Sequence, residues 1–379
     1  MTGIDQLLLL NNYKNNRIGL LSNSASVTAT GTCTRVALLQ HGFQLVQLFS
    51  PEHGLAATGA DGEWQADTKD AITGIPVTSL YGSKLAPGKK DLLDIDLVVV
   101  DLPDIGCRFY TYLWTMTYMM EACAAYGIPM LITDRLNPSG MNFDLSEGPM
   151  LNEASCASFI GRWCMPIRHC CTMGELALYF AATRMKSLSL KIISAGDDPA
   201  AVTATNKFIP TSPAMQNIST AMLYPGTGLM EGINVNEGRG TNHPFEVFGA
   251  PWINAEEVKA AFDANQLEGI KATTITYSPQ SSLYAGETCY GLQLNITDFP
   301  LFRPVKTGIT LLQILLRLYP HQVKERLYAT VANPGGTRHL DKLLGIPDAL
   351  QQLANGIMPA TLIAGKWKTI MENYLLYQR

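Results

Sequence analysis

"DLVVVDLPDIG", residues 96–106, is the stretch on which the fold turns. Four consecutive apolar residues, three of them valine, stand between Asp96 and Asp101. A short unbroken apolar run bounded by charge predicts a strand buried on both faces, the habit of a parallel sheet. Downstream, "YTYLWTMTYMMEACAAYG" (110–127) has helical length and a glycine stop, and "IPMLITDRLNP" (128–138) reads as the next strand, ending in a charged pair. Upstream, "RIGLLSN" (17–23) reads as a strand, "TCTRVALLQHG" (32–42) as a helix closed by Gly42, and "FQLVQLFS" (43–50) as a second strand. "GELALYFAATRM" (174–185) and "LKIISAG" (190–196) add a further helix and strand. Strand and helix alternating at this spacing predict an α/β fold: a mostly parallel sheet with helices on its faces.

From about residue 205 to 252 the texture changes to "FIPTSPAMQN" and "YPGTGLMEGINVNEGRGTNHPFEVFGAPW", dense in Gly, Pro and Asn, which reads as long loops. Beyond Trp252 the pattern is mixed: a helix near 255–265, strands at "KATTITYSP" and "CYGLQLNITD", then helices from 307 onward. The expected organisation is therefore a first domain over 1–250 and a smaller α+β domain over 251–379.

Composition removes several function classes. The chain has 379 residues, with 28 Lys and Arg against 32 Asp and Glu and a formal net charge of −4, and it shows no basic run. A nucleic-acid partner has no electrostatic support. No stretch approaches the roughly 18 apolar residues of a transmembrane helix, so no membrane insertion is expected. "MTGIDQLLLLNNYKNN" lacks the basic head and cleavage site of a signal peptide. Eight scattered cysteines form no zinc-like CxxC pairs and suit a reducing compartment. The expected location is the cytoplasm, or the periplasm or exterior if the sequence is that of a trimmed mature form.

The cofactor motifs are also missing. After the first strand comes "SNSASVTATG", without the G-x-G-x-x-G of a dinucleotide site, and no GKS or GKT signals a P-loop. Neither HExxH nor the G-x-S-x-G elbow of a serine hydrolase occurs, and the six histidines are dispersed. No cofactor and no metal is expected.

In an open α/β sheet, ligands bind beyond the carboxyl ends of the strands. Asn23, Glu52 with His53, Asp101 with Asp104, and Asp134 with Arg135 all fall just past predicted strand ends. Parallel strands would bring them to one rim, although a strand-end Asp such as Asp134 serves equally well as a helix cap. "MEGINVNEGRGTNHPFE" (230–246) adds Glu231, Glu237 and Arg239 between the two domains, where clefts form. Paired carboxylates with arginine and aromatic neighbours are what glycoside hydrolysis needs: one carboxyl protonates the leaving oxygen and the other assists water or attacks the anomeric carbon. Two other readings compete: a non-catalytic carbohydrate-binding protein, and a metal-assisted hydrolase of another class using His53, Asp101 and Asp104.

An ordered series of motifs narrows the choice. "LSNSASV", "FSPEHGLAATGADGE", "TGIPVTSLYG", "DLVVVDLPDIGCRFYTYLWTM", "TDRLNPSG", "EGPML", "SFIGRWCMPIRHCCTMGELALYF", "YPGTGLMEGINVNEGRGTNHPFEVFGAPWI" and "GETCYGLQL" together resemble the exo-β-N-acetylmuramidase family of peptidoglycan-processing glycosidases. The resemblance implies a Rossmann-like N-terminal domain, a smaller C-terminal domain and a cleft between them. It also implies removal of β-linked N-acetylmuramic acid (MurNAc) from the non-reducing end of peptidoglycan fragments of the MurNAc-GlcNAc type. The family's P-E-H-G motif maps its suspected catalytic acid onto Glu52. Its E-G-R-G-T motif maps onto Glu237, Gly238, Arg239, Gly240 and Thr241, which implies sugar recognition or the second catalytic group there. A planar guanidinium suits the lactyl carboxylate of muramic acid, and Arg239 and Arg108 are the candidates, with Arg135 third. Tyr81 and Tyr110 are candidates for the sugar face, and His53 for orienting Glu52 or binding a hydroxyl. The chain departs from the family at His169–Thr172, where relatives usually read H-G-M-T, and at Ile233 and Asn236, where Thr and Ser are common.

Overall fold

The computed structural model describes residues 1–196 and 208–379. The first of its two sheets has seven strands: β1 (Arg17–Ser22), β2 (Gln44–Ser50), β3 (Thr68–Lys69), β4 (Pro76–Ser79), β5 (Leu97–Asp101), β6 (Met130–Thr133) and β7 (Leu190–Ile193). They lie in the order β3-β4-β2-β1-β5-β6-β7, and every pair is parallel except the edge pair β3 and β4. The α/β expectation is met, and strand order reverses between β1 and β5.

Every residue of β5 is buried, and the alternation of its side chains divides them between two layers. Val98 and Val100 join the larger core with Leu21, Phe49 and Ile132. Leu97 and Val99 join the opposite layer with Ile18, Leu20, Leu48 and Leu131. Each such side chain contributes roughly 1.5–3 kcal/mol by leaving water, so an Asp in place of Val99 would put a charge into a dry layer. The helix Thr111–Tyr126 follows β5 and is buried nearly all round, with Trp114 and Tyr112 wholly enclosed. It ends at Gly127, whose φ of 70° is the left-handed turn that favours glycine.

The second sheet is antiparallel, in the order β8-β10-β9, from β8 (Val247–Ala250), β9 (Ile270–Tyr277) and β10 (Cys289–Ile296). The helices Ala255–Ala264 and Pro304–Leu318 pack together, the former against this sheet. Asn254 caps the first by accepting from the backbone of Glu256 and Glu257, and Pro304 opens the second where no backbone N–H is needed. This sheet begins at Val247, just ahead of the boundary expected at 250.

The 205–252 region is more regular than its composition suggests, and residues 205–207 of it lie outside the described chain. Asn217 caps a helix over Ile218–Thr227 that carries Pro225, and a 3-10 turn over Gly228–Gly232 continues it. Gly226 and Gly308 are in backbone contact: a Cβ on Gly226 would stand 2.1 Å from the Pro304 carbonyl. The glycine density that reads as loop thus serves, here, a close crossing of two helices.

Candidate active site

Glu52 stands two residues beyond β2, in the crevice at the carboxyl end of the sheet. It is 5% exposed. Its Oε1 accepts from the backbone N–H of Gly62 (2.9 Å), and its Oε2 from the hydroxyl of Thr111 (2.7 Å), the first residue of the helix after β5. One donor per oxygen fixes the carboxyl and leaves further lone pairs for a ligand. His53 adopts a positive φ of 67°, followed by Gly54 at 72°, and this sharp reversal folds residues 54–65 back over the strand ends. Nδ1 of His53 lies 2.8 Å from the Gly59 carbonyl. A carbonyl only accepts, so Nδ1 carries the hydrogen of this contact.

The titratable side chains of the cleft above Glu52, with Thr111 and Asn333, come from three parts of the chain. The strand-end loops give Glu52, His53, Asp61, Tyr81, Tyr110 and Thr111; the 224–239 segment gives Tyr224, Glu231 and Arg239; the C-terminal segment gives Tyr328, Asn333, His339 and Lys342. Tyr81 is buried, and burial together with the nearby Glu52 charge pushes its phenol up, so it stays protonated. Tyr110 donates to Thr211, which turns its hydroxyl towards the protein while the ring lines the cleft.

Arg239 organises the charge. Gly238 and Gly240 flank it at φ 83° and 81°, and a Cβ on Gly240 would stand 2.2 Å from the Ser281 carbonyl. Its guanidinium donates to Glu231 (2.8 and 3.0 Å) and to Asp61 (2.9 Å), and Nε lies 3.3 Å from Glu237. Arg326 holds the other oxygen of Glu237 at 3.0 Å. Two guanidiniums among three carboxylates leave one negative charge uncompensated, which a proton on one carboxyl removes. Glu231 is that carboxyl. Burial pushes it up to about 8 against the pull of Arg239, and the charges of Asp61 and Glu237 push the same way. For Asp61, burial is outweighed by Arg239 and by the Tyr328 hydroxyl, which donates to it, so it sits below the ordinary value.

Of the residues singled out in the sequence, Glu52, His53, Tyr81, Tyr110, Glu231 and Arg239 line the cleft. The others have different partners. Glu237 is wholly buried behind Arg239 and Arg326 and does not reach the cleft wall. Asp101 takes both nitrogens of a fork from Arg135 (2.7 and 2.8 Å) and a hydroxyl from Thr34, a closed structural pair at the end of β5. Asp104 accepts from the Gly106 backbone and faces His169 at 3.2 Å. Asp134 accepts from Thr172, the Gly174 backbone and Tyr377 and, by burial, rises to about 6. Asn23 accepts from the Ala25 backbone, and Thr241 donates to the Gly238 carbonyl within its own turn. Arg108 donates to the carbonyls of Pro149, Met165 and Leu343 and has no surface exposed. Burial pulls its guanidinium down to about 10. Neither Arg108 nor Arg135 is therefore placed to meet a substrate carboxylate.

Asp61, Thr111, Tyr328, His339 and Lys342 were not foreseen. Asp61 had a signal, since it lies nine residues from Glu52 inside a glycine-bearing loop. Ligand-capable atoms of Glu52, His53 and Asp61 all lie within 4.8 Å of one another, so these three could hold a cation. The donor set argues against it, because Arg239 and Tyr328 already occupy the Asp61 carboxylate. Asp101 and Asp104 are not part of that group.

The model of the exo-β-N-acetylmuramidase NamZ N-terminal domain matches residues 18–219, and that of its C-terminal domain residues 222–377. The chain is 34% identical to the peptidoglycan β-N-acetylmuramidase NamZ of Bacillus subtilis (strain 168), over 99% of this chain and 91% of that protein. Two solved DUF1343 family proteins from Bacteroides fragilis NCTC 9343 superpose with TM-scores of 0.85 and 0.76 at 26% and 27% identity. Both alignments cover all of this chain, with 98% and 99% of theirs. With both of its halves matched in order and a full-length relative above 30% identity, the chain belongs to the exo-β-N-acetylmuramidase NamZ family.

Proposed function

We propose that this protein is a glycoside hydrolase that releases β-linked MurNAc from the non-reducing end of peptidoglycan fragments of the MurNAc-GlcNAc type. Family membership supports the reaction class and the peptidoglycan-derived substrate. The observation that carries the mechanistic reading is the pair of buried carboxyls on the cleft wall, set in different surroundings. Glu52 is held by the Gly62 N–H and the Thr111 hydroxyl, which suits a carboxylate; Glu231 is held protonated by burial and its neighbours. A carboxyl raised by its surroundings beside a second, firmly oriented carboxyl is how a site divides acid and base roles. Glu52 then assists water or attacks the anomeric carbon, and Glu231 supplies the proton for the leaving oxygen. This assignment reverses the expectation that Glu52 is the acid, and gives the second role to Glu231 in place of Glu237.

The test is release of free MurNAc from MurNAc-β-1,4-GlcNAc by the wild type, Glu52→Gln and Glu231→Gln, with chelator present. Release by the wild type and its loss in both variants is the expected result. No release by the wild type, with the disaccharide still bound, would return the protein to the carbohydrate-binding reading. We also propose a reducing compartment such as the cytoplasm, supported by eight unpaired cysteines, six of them buried. A mass-spectrometric thiol count on protein taken directly from cells would check it.

A further inference from the structure

The cleft contains a cation and an imidazole that the site described above does not use. Among the described residues lining it, the strongly basic side chains are Arg239 and Lys342. Arg239 already faces Asp61, Glu231 and Glu237. A ligand carboxylate brought to it would meet three acidic groups along with one guanidinium. Lys342 is different. Its Nζ donates to Asn333 Oδ1 (2.8 Å) and to the Thr337 carbonyl (2.9 Å), both neutral acceptors, and an ammonium has three hydrogens to give. Asp341, the acid next to it in sequence, is engaged by Arg338 and by the backbone of Asp348 and Ala349.

His339 lies one helical turn before Lys342 on the helix His339–Leu344, a spacing that places two side chains on one face. It is 4% exposed, lines the cleft, and finds no hydrogen-bond partner within the protein for either ring nitrogen. Burial and the adjacent Lys342 charge pull it down to about 3, so the ring is neutral, with one N–H to donate and one lone pair to accept. Its ring stacks on Tyr328 at 4.5 Å between centroids, which fixes its plane. Buried polar atoms are nearly always paired, and a preorganised imidazole without a partner on a cleft wall is a site waiting for a ligand atom.

We propose that Lys342 and His339 form the subsite that reads the acidic ether side group of the sugar, its carboxylate on the Lys342 ammonium and a neighbouring polar atom on the His339 ring. The assignment rests on the muramidase reading of the same cleft and adds to it the determinant of specificity: an acid-bearing amino sugar over the same sugar without the acid.

The experiment compares two chromogenic glycosides, 4-nitrophenyl β-MurNAc and its lactyl methyl ester, which differ by one charge. The ratio of their kcat/KM values measures how far the acid is preferred. Lys342→Met is expected to reduce that ratio by roughly 10- to 100-fold, the size of one charge-assisted hydrogen bond. Lys342→Arg keeps most of the preference, and His339→Phe, which preserves the stacking on Tyr328, lowers kcat/KM severalfold for both glycosides. A ratio within twofold of wild type in Lys342→Met, with both glycosides still hydrolysed, overturns the subsite and leaves the muramidase reading intact. Hydrolysis of neither glycoside by the wild type overturns both. Because each variant serves as its own reference through the ratio, partial loss of folded protein does not disturb the reading.

Discussion

Tyr328 donates its hydroxyl to the carboxylate of Asp61, a residue 267 positions earlier in the chain. The contact clasps the C-terminal segment to the loop whose next residue, Gly62, donates its N–H to Glu52. Val331 strengthens the clasp by donating its N–H to the Gly62 carbonyl. Tyr328 thus positions Glu52 through the backbone. Tyr328→Phe keeps the ring on His339 and loses only the hydroxyl. We expect kcat/KM to fall about tenfold, mostly in kcat, as a hydrogen bond to a charged group contributes roughly 1.5–3 kcal/mol. Unchanged kcat would show that the loop is held without the clasp.

Glu52→Gln keeps the size and one acceptor oxygen but turns an amide towards one of two donors, Gly62 N–H or Thr111 O–H. Turnover is expected to drop by at least about 10²–10⁴-fold, the usual contribution of a positioned acid–base group. Stability should change by only about 1–2 kcal/mol. Retention of a tenth of the activity would remove Glu52 from the reaction.

The proton on Glu231 gives two linked pH effects. Burial holds the folded-state value at about 8 against an ordinary 4.5. Between those values the folded protein binds the proton and the unfolded chain does not, so this group's contribution to stability is full at the acid end and declines as pH rises to about 8. If Glu231 is the acid, kcat falls over the upper part of the same range. Melting temperatures at pH 5 and pH 8 should therefore differ less in Glu231→Gln than in the wild type. Equal slopes in the two proteins would contradict a raised Glu231.

Activity is expected to survive exhaustive chelation, because Arg239 and Tyr328 already hold the carboxylate that a cation at Glu52, His53 and Asp61 would need. Loss of activity with a chelator, restored by one divalent metal, would make those three side chains its ligands.

Arg108 is expected to matter for stability. It joins the carbonyls of Pro149 and Met165 to that of Leu343, the neighbour of Lys342. Arg108→Met leaves those acceptors buried and unpaired, at a cost of about 2–4 kcal/mol in urea denaturation. A change below 1 kcal/mol would mean that the carbonyls find other donors.

The sheet was legible because β5 and its neighbours are buried on both faces, and such strands show as unbroken apolar runs. Glu52 was legible for a related reason: parallel strands point their carboxyl ends to one crevice. The same rule brought in Asp101 and Asp134, and here it failed. Polar groups at the ends of buried strands must also be satisfied, and Arg135 and Thr172 satisfy these two from adjoining segments. Nothing in local pattern separates a carboxylate facing a cleft from one facing an arginine. The C-terminal part of the cleft was not legible at all. Tyr328, His339 and Lys342 sit in a region with ordinary composition, and only the docking of the C-terminal segment over the sheet gives them their positions.

One consequence of Arg239 concerns how such a site can change over generations. The Arg239 guanidinium faces Asp61, Glu231 and Glu237, while Tyr328 shares Asp61 with it and Arg326 shares Glu237. Replacing any one acid alters the charge felt by the other two, so a lone substitution is penalised even where the new residue fits. Positions 61, 231, 237, 239, 326 and 328 are therefore tied into one heritable unit, which a lineage can alter only through paired exchanges. Lys342 stands outside that unit. A descendant could exchange it, and with it the proposed preference for the acid-bearing sugar, without disturbing the charge balance of those three acids.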